Sequence, residues 1–171
     1  MARSPTLNRA RRQLGVRIRK AKQGDSAAIE LLLRESFREY KPAYTPQAFD
    51  ITTPGKHEIE NRIKEWTVWV ALHANLIVGT VSAHPESAPL HIRSMAVHPS
   101  MQGQRIGRLL LARVEHFACA NGYKSLVLNT TPFLTHAIRL YEDFGFRFTG
   151  RERKWFGTRL STMAKELTSR S

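Results

Sequence analysis

The sequence predicts a single α/β domain in which helices flank a mixed, mostly antiparallel central sheet. A chain of 171 residues, 42% of them hydrophobic, fits one globular domain with a substantial core. The hydrophobic pattern changes repeatedly between a helical and a strand-like period, and no internal repeat is present. A hairpin in the middle of the chain indicates antiparallel pairing, and the strand, loop, helix and strand that follow it indicate one parallel pair.

The first part of the domain is predicted to hold one strand, two helices and a hairpin. Asp25 or Ser26 can cap the first helix, whose apolar stripe continues to about Tyr40. Three prolines between residues 42 and 54 predict an irregular segment after it. The predicted elements are a strand over 16–19, helices over 25–40 and 54–64, and hairpin strands over 67–72 and 76–82 with a turn at 73–75.

The second part of the domain is predicted to alternate strands with two amphipathic helices. Asn121-Gly122 is typical of a helix C-terminus, and Gly145 ends the second helix. The predicted elements are a strand over 90–97, a helix over 106–120, a strand over 125–128, a helix over 134–144, and strands over 146–150 and 162–167.

Positive charge is concentrated at the N-terminus. The formal net charge is +13, and eight of the 27 basic residues lie in residues 1–24, which contain no acidic residue. We interpret residues 1–14 as a basic, flexible arm and residues 15–171 as the folded domain. A solvated arm is preferred here over a dedicated nucleic-acid contact. A basic surface also attracts acidic partners, including a phosphorylated cofactor.

Composition excludes several classes of site. No segment has the ~18 consecutive apolar residues of a membrane helix, and the N-terminus lacks the apolar core of a secretory signal, so we expect a cytoplasmic protein. The single cysteine, Cys119, excludes an internal disulfide, and no Cys/His cluster has zinc-site spacing, so no metal is predicted. Cys119 has apolar neighbours in its helix and is expected to be buried. Trp66 and Trp69 are expected to pack in the core or on a sheet face.

The loop from Pro99 to Gly107 has the composition of an anion-binding site. It contains two glycines and no carboxylate, and it leads directly into the helix that carries Arg108. The first N–H groups of a helix lack partners within the helix and carry a partial positive charge. Backbone donors here can therefore hold a phosphate or a pyrophosphate.

Three segments together resemble the GNAT (GCN5-related N-acetyltransferase) superfamily. They are Met95-Ala96-Val97-His98-Pro99, the loop from Gln102 to Gly107, and Leu140-Tyr141-Glu142-Asp143-Phe144-Gly145-Phe146. The resemblance covers roughly residues 15 to 168 and implies the acyl-CoA N-acyltransferase fold, with acetyl-CoA as cosubstrate.

The resemblance also implies where acetyl-CoA binds. Backbone groups of Met95, Ala96 and Val97 would pair with the pantetheine arm. The pyrophosphate would be held by backbone N–H groups of Gln102, Gly103, Gln104, Arg105, Ile106, Gly107 and Arg108.

Two positions depart from the family pattern. Arg105 replaces the usual middle glycine of the loop, and its guanidinium could reach a CoA phosphate instead. Leu134 stands where an asparagine is frequent, so the cofactor contact of that residue is lost or supplied by Asn129 or Thr130.

In this family a tyrosine at the position of Tyr141 often protonates the departing CoA thiolate. A phenol of pKa about 10 is a reasonable donor to a thiolate of pKa near 8.5. The strand over 90–97 has no carboxylate to act as general base. His91 and Glu86 are candidates, each expected at the surface, and a base acting through water or a backbone carbonyl remains open.

The predicted activity is transfer of the acetyl group of acetyl-CoA to a primary amine of a small molecule or protein, by direct attack in a ternary complex. The acceptor pocket is expected to involve residues 40–63 and 155–159, in a monomer or a homodimer. One alternative is a noncatalytic acyl-CoA-binding module or sensor. Another is a nucleic-acid or ribosome-associated protein that uses the Arg-rich arm.

Overall fold

The computed structural model describes residues 15–85 and 88–168. Within these residues the chain forms seven strands and five α-helices. The strands are β1 Val16–Lys20, β2 Thr67–His73, β3 Leu76–Pro85, β4 Leu90–Val97, β5 Ser125–Thr130, β6 Arg147–Trp155 and β7 Thr158–Glu166. The helices are α1 Ser26–Phe37, α2 Pro46–Thr52, α3 Lys56–Glu65, α4 Ile106–Ala120 and α5 Thr135–Phe144.

All seven strands form one sheet in the order β1-β2-β3-β4-β5-β7-β6. Strands β4 and β5 are parallel, and every other neighbouring pair is antiparallel. The predicted fold class and its single parallel pair are therefore confirmed. Ala74 and Asn75 close the β2–β3 hairpin with φ of 49° and 62°, the left-handed conformation that two-residue hairpin loops favour.

The sheet carries a hydrophobic core on each face. Helix α4 covers the larger one with Leu110 and Val114, which pack with Trp69 and Leu126 of the sheet. Helices α1 and α3 cover the smaller core on the other face, formed by Ile29, Leu33, Ile59, Val68, Val70, Leu72 and Ala96. Both faces are thus anchored, and the central strands are held rigidly beneath the loop that follows β4.

The segment between α1 and α3 is more ordered than predicted. Helix α1 ends at Phe37 and continues as a 3₁₀ segment, Arg38–Ala43, because Pro42 cannot support a regular α-helix there. Helix α2 was not predicted. It begins with Pro46 in the first turn, and the Thr45 side chain accepts a hydrogen bond of 3.3 Å from the Ala48 N–H.

Asp25, one of the two residues predicted to cap α1, has a different role. The Asp25 carboxylate does not cap this helix. It accepts a 2.7 Å hydrogen bond from the Lys22 N–H and pairs with Arg19 of β1 at 2.7 Å. The side-chain hydrogen bond from Arg19 is the main reason that the pKa of Asp25 is lowered.

Strands β6 and β7 are much longer than predicted. Strand β6 is the edge of the sheet, and its residues up to Lys154 are exposed, so the sequence shows no alternation there. The exposed basic strand end expected at Arg151, Arg153 and Lys154 is part of β6.

Cys119 is exposed, so the prediction that it is buried was wrong. The buried side of α4 is set by Leu110, Val114 and Ala118, and Cys119 lies about 100° further around the helix. Trp69 is a core residue, as predicted. Trp66 is half-buried and stacks against Arg62.

Residues 1–14, which we predicted to be a basic arm, lie outside the described residues. Among the helices that the structure describes, none is long and apolar enough to cross a membrane.

Candidate functional site

The candidate site is a cavity of about 540 Å³ between β4 and β5. These two strands pair only at Leu90–Leu126 and His91–Val127, near the start of β4. Beyond His91 they have no further pairs, so the backbone of Met95, Ala96 and Val97 borders the cavity without a neighbouring strand on that side. An extended ligand can enter this gap and use the free backbone groups.

The loop after β4 forms one end of the cavity. Arg105 immediately precedes α4 with φ of 61° and ψ of 17°, and Gly103 has φ of 78°. Arg105 therefore takes the left-handed conformation that glycine adopts at lower cost. The first turn of α4 follows, and Arg105, Gly107 and Arg108 all line the cavity. No described side chain caps the first N–H groups of α4, and two cations border the same cavity.

A histidine fixes the start of this loop. His98 Nε2 lies 2.7 Å from Glu35 of α1, and His98 Nδ1 lies 2.7 Å from the Ser100 hydroxyl. The Ser100 backbone N–H also donates to Nδ1 at 3.2 Å. Because Nδ1 accepts from that N–H, Nε2 carries the ring proton and donates it to Glu35. The loop is therefore tied to α1.

Close packing of α4 on its neighbours depends on Gly107. A Cβ atom there would lie 2.7 Å from Leu140 Cδ2 and 3.1 Å from Met95 Cε. Both contacts are closer than van der Waals distance, so a Cβ atom would require the ends of the Leu140 and Met95 side chains to move. Gly107 thus brings the helix start up to the strand.

Tyr141 of α5 lies in the opposite wall of the cavity. Its side chain is buried, and its ring centre is 5.9 Å from that of Phe146. Burial raises the pKa of Tyr141 to about 12, with a smaller contribution from Tyr44. The phenol is therefore neutral and carries its proton over the whole physiological range of pH.

Three polar side chains, Thr162, Asn129 and His91, form a row of contacts at the cavity. The Thr162 hydroxyl donates to Asn129 Oδ1 at 2.8 Å, and Asn129 Nδ2 lies 3.4 Å from His91 Nε2. His91 is only 9% exposed and lines the cavity, so its predicted place at the surface was wrong. His91 is buried because β4 lies in the centre of the sheet. Glu86, the other candidate base, lies outside the described residues.

Thr130 supplies an unsatisfied group at the end of β5. It is 3% exposed, and its hydroxyl has no hydrogen-bond partner among the described residues. A buried hydroxyl without a partner is costly, and a ligand in the adjoining cavity would relieve that cost.

The two segments predicted to form the acceptor pocket both reach the cavity. Tyr44 packs edge-on against Phe133, with ring centres 4.8 Å apart, and Trp155 approaches from the end of β6. Thr45 Oγ1 donates a 2.6 Å hydrogen bond to the Phe156 carbonyl, which joins the two segments.

Most residues predicted for the site lie around this one cavity. The exception is Gln104, which is not part of the wall and whose amide contacts Met101 Sδ at 3.9 Å. The sequence did not single out Tyr44 or Arg62 within residues 40–63, and it assigned Arg153 only to an exposed basic strand end; all three line the cavity. They are distant in the chain, and no local pattern distinguishes them from ordinary surface or core residues. In the part of the chain that the structure describes, no group of three or more metal-ligating side chains is present.

Comparison with known proteins agrees with this geometry. The Acetyltransferase (GNAT) domain family matches residues 35–167. An N-acetylaspartate synthetase of Xenopus tropicalis is 37% identical over 84 residues, which are 48% of this chain and 31% of that protein. A probable N-acetyltransferase family 8 member 5 of Mus musculus is 36% identical over 89 residues, covering 48% of this chain and 39% of that protein. The matches thus span less than half of these relatives.

Solved structures share the fold over nearly the whole chain. A PaiA N-acetyltransferase from Thermoplasma acidophilum in complex with coenzyme A has a TM-score of 0.77 at 17% identity, covering 89% of this chain and 99% of that one. The putative acetyltransferase YncA from Salmonella typhimurium, solved with acetyl-CoA, has a TM-score of 0.72 at 22% identity, covering 92% and 96%.

Proposed function

The chain belongs to the GNAT acetyltransferase family, and from this we propose that it transfers the acetyl group of acetyl-CoA to a primary amine by direct attack in a ternary complex. The observation that carries the proposal is the gap between β4 and β5, which connects the anion-binding loop with Tyr141. The names of the similar proteins, an N-acetylaspartate synthetase and an N-acetyltransferase, support an amine as acceptor.

The residues around the cavity fit acetyl-CoA. Backbone N–H groups from Gln102 to Arg108 would hold the pyrophosphate, assisted by the guanidinium of Arg105. The unpaired backbone of β4 would hold the amide-containing pantetheine arm, much as a strand pairs with its neighbour. The Thr130 hydroxyl has no partner in the described chain and lies on the opposite side of the gap, where it can donate to the same ligand. Acetyl-CoA supplies the activated acyl group.

In the reaction the amine nitrogen forms a bond to the acetyl carbon, the carbon–sulfur bond breaks, and the amine loses a proton. Tyr141 holds a proton that it donates toward the leaving sulfur. We assign His91 as the acceptor of the amine proton, directly or through one water, because, of the two candidate bases named from the sequence, His91 lines the cavity and Glu86 lies outside the described residues. The products are the acetylated amine and free coenzyme A.

Binding and turnover test the proposal separately. Isothermal titration with acetyl-CoA should release heat, and the cosubstrate should raise the melting temperature. Absence of both effects at millimolar acetyl-CoA would overturn the proposal. Release of free coenzyme A is then measured over a panel of primary amines. Binding without turnover on any amine would favour the noncatalytic acyl-CoA-binding module.

Replacement of His91 by glutamine tests the assigned base. The variant should lose activity at neutral pH and recover as the pH rises, because more of the amine is then already neutral. A His91→Gln variant with wild-type activity at pH 7 would exclude this role. An Asn61→Gln variant is a matched control, since Asn61 is not part of the cavity wall.

Three further proposals rest on the sequence. A cytoplasmic location is tested by cell fractionation, and the choice between monomer and homodimer by sedimentation. Binding of RNA through the basic N-terminal arm should weaken with salt and disappear when residues 1–13 are deleted. Unchanged weak binding after the deletion would leave only general electrostatic attraction.

A further inference from the structure

The cavity wall is strongly and unevenly charged. It contains five arginines and, among the residues that the structure describes, no aspartate or glutamate. Arg105 and Arg108 lie at the start of α4, beside the phosphate-binding loop. The other three, Arg62, Arg93 and Arg153, come from α3, β4 and β6. The cavity therefore has a second group of cations, on elements separate from the loop proposed for the pyrophosphate.

Two of these cations are held against one aromatic ring. The guanidinium carbon of Arg62 lies 4.8 Å from the centre of the Trp66 ring, and that of Arg93 lies 5.8 Å from it. Arg62 also donates from Nη1 to the Ser94 hydroxyl at 2.8 Å and from Nε to Glu58 at 3.1 Å. The Arg62 side chain is only 11% exposed, so its position is well defined.

Glu58 neutralises Arg62 only in part. This carboxylate is 52% exposed, so water screens much of its charge. A guanidinium has five N–H donors, and within the described chain Arg62 Nη2 makes no hydrogen bond. Donors therefore remain on Arg62 for a ligand that enters the cavity.

Arg153 completes the group from β6, the edge strand of the sheet. It lies on β6, opposite Leu160 of β7 and two residues before Trp155, and all three residues line the cavity. Its guanidinium forms no hydrogen bond or ion pair with any other described residue. A planar guanidinium that borders a cavity is suited to binding a carboxylate through two parallel hydrogen bonds.

We propose that the amine acceptor carries a carboxylate, as an amino acid does, and that Arg153, with Arg62, binds that carboxylate. This inference rests on the proposed acetyltransferase function. The arginines would draw the acceptor in by its negative charge and orient its amine toward the thioester. The same charges repel polyamines and other acceptors that carry a second cation.

Matched pairs of acceptors test the inference. Each pair consists of an amino acid and the amine that remains when its carboxylate is removed, for example leucine and isopentylamine. The measurement is kcat/KM for each compound, expressed per neutral amine to correct for the different amine pKa values. The wild-type enzyme should favour the carboxylate member by about 10- to 100-fold, as expected for a charge-assisted hydrogen-bonded pair.

Variants of Arg153 test whether this residue causes the preference for acceptors that carry a carboxylate. Arg153→Gln should reduce the ratio between the two members about 10-fold, through a higher KM for the amino acid. Arg153→Lys keeps the positive charge. Its ratio of kcat/KM between the amino acid and the matching amine should therefore fall less than that of Arg153→Gln. Lys154→Gln is the matched control, because Lys154 is the next residue of the same strand, is also exposed and does not line the cavity. It should leave the ratio unchanged.

The outcomes separate this inference from the proposed function. Equal or better turnover of the amines without a carboxylate would overturn the inference and leave the acetyltransferase proposal intact. A wild-type preference that persists unchanged in Arg153→Gln would overturn the assignment to Arg153. Acetyl-CoA binding without turnover of either member of any pair would overturn both proposals.

Discussion

Replacing Tyr141 by phenylalanine removes one hydroxyl from a side chain that is 8% exposed and leaves the ring packed against Phe146. The variant should therefore fold and bind acetyl-CoA. What it loses is a hydrogen-bond donor at the position where, in our proposal, negative charge develops on the leaving sulfur. We expect kcat to fall and the dissociation constant for acetyl-CoA to change little.

The size of the loss follows from the pKa of Tyr141. Burial raises it from 10 to about 12, so removing the proton costs about 3 kcal/mol more than for a free tyrosine. A thiol has a pKa of about 8.5 in water, so complete transfer of this proton to a solvated thiolate would be uphill by about 5 kcal/mol. In our proposal Tyr141 therefore acts mainly as a strong hydrogen-bond donor. Loss of such a bond to a charged group corresponds to about a 10- to 100-fold decrease in kcat.

Two measurements check this reasoning. The first is kcat of the Tyr141→Phe variant against the wild type, with acetyl-CoA affinity measured by titration as the control. The second is the pH profile of the wild-type enzyme. Because the pKa of Tyr141 is raised, the phenol stays protonated until the pH approaches 12, so its ionisation should not reduce kcat between pH 6 and 10. A loss below threefold would refute any role in the reaction. A loss above about 1,000-fold would refute the hydrogen-bond interpretation in favour of complete proton transfer.

Further predictions concern the loop, the start of α1 and the exposed thiol. Gly107→Ala should lower the free energy of unfolding by at most about 1 kcal/mol, measured in urea, because the new methyl would displace only the flexible ends of the Leu140 and Met95 side chains. Arg105→Gly should raise that free energy by roughly 0.5–1 kcal/mol by relieving the left-handed strain, and weaken acetyl-CoA binding because a cation is lost. The lowered pKa of Asp25 means that its pairing with Arg19 stabilises the fold above the ordinary carboxyl pKa and is lost as the pH falls through the lowered value. Asp25→Asn should therefore flatten the loss of stability in acid, measured by thermal melts from pH 2 to 6. Cys119 should react in the folded protein with a thiol reagent, and a thiol that reacts only after unfolding would contradict its exposure.

The sequence was informative where local physical rules decide the structure. The apolar run of β4, the glycine-containing loop and the stripe of α4 each show a clear period or composition, so the centre of the fold and the candidate phosphate-binding loop could be predicted. Helix α2 was missed because Pro46 was interpreted as a helix breaker, whereas in the first turn of a helix proline is well tolerated. Strand β6 was cut short because an exposed edge strand need not alternate in polarity.

The candidate site was predictable only where its parts share a motif. Tyr141 was found through its motif, and the backbone of Met95 to Val97 through its position before the loop. Arg62 and Arg153 lie 91 positions apart in the chain and line the same cavity only in the folded structure. The charge of the acceptor end of the cavity is therefore a property of the tertiary structure, and no single stretch of sequence contains it.

The two residue pairs that connect β4 to β5 have a mechanical consequence. Four strands lie on one side of this narrow junction and three on the other, so the two groups are held together by these two pairs and by side-chain packing in the larger core, where Trp69 and Leu126 lie beneath α4. The candidate phosphate-binding loop follows the first group of strands, and Tyr141 packs against Phe146 just before β6 of the second. In our proposal, core packing therefore sets the distance between the anchor of the cosubstrate and its acid. A mutation in that core should misalign the two without touching a residue that contacts the ligands.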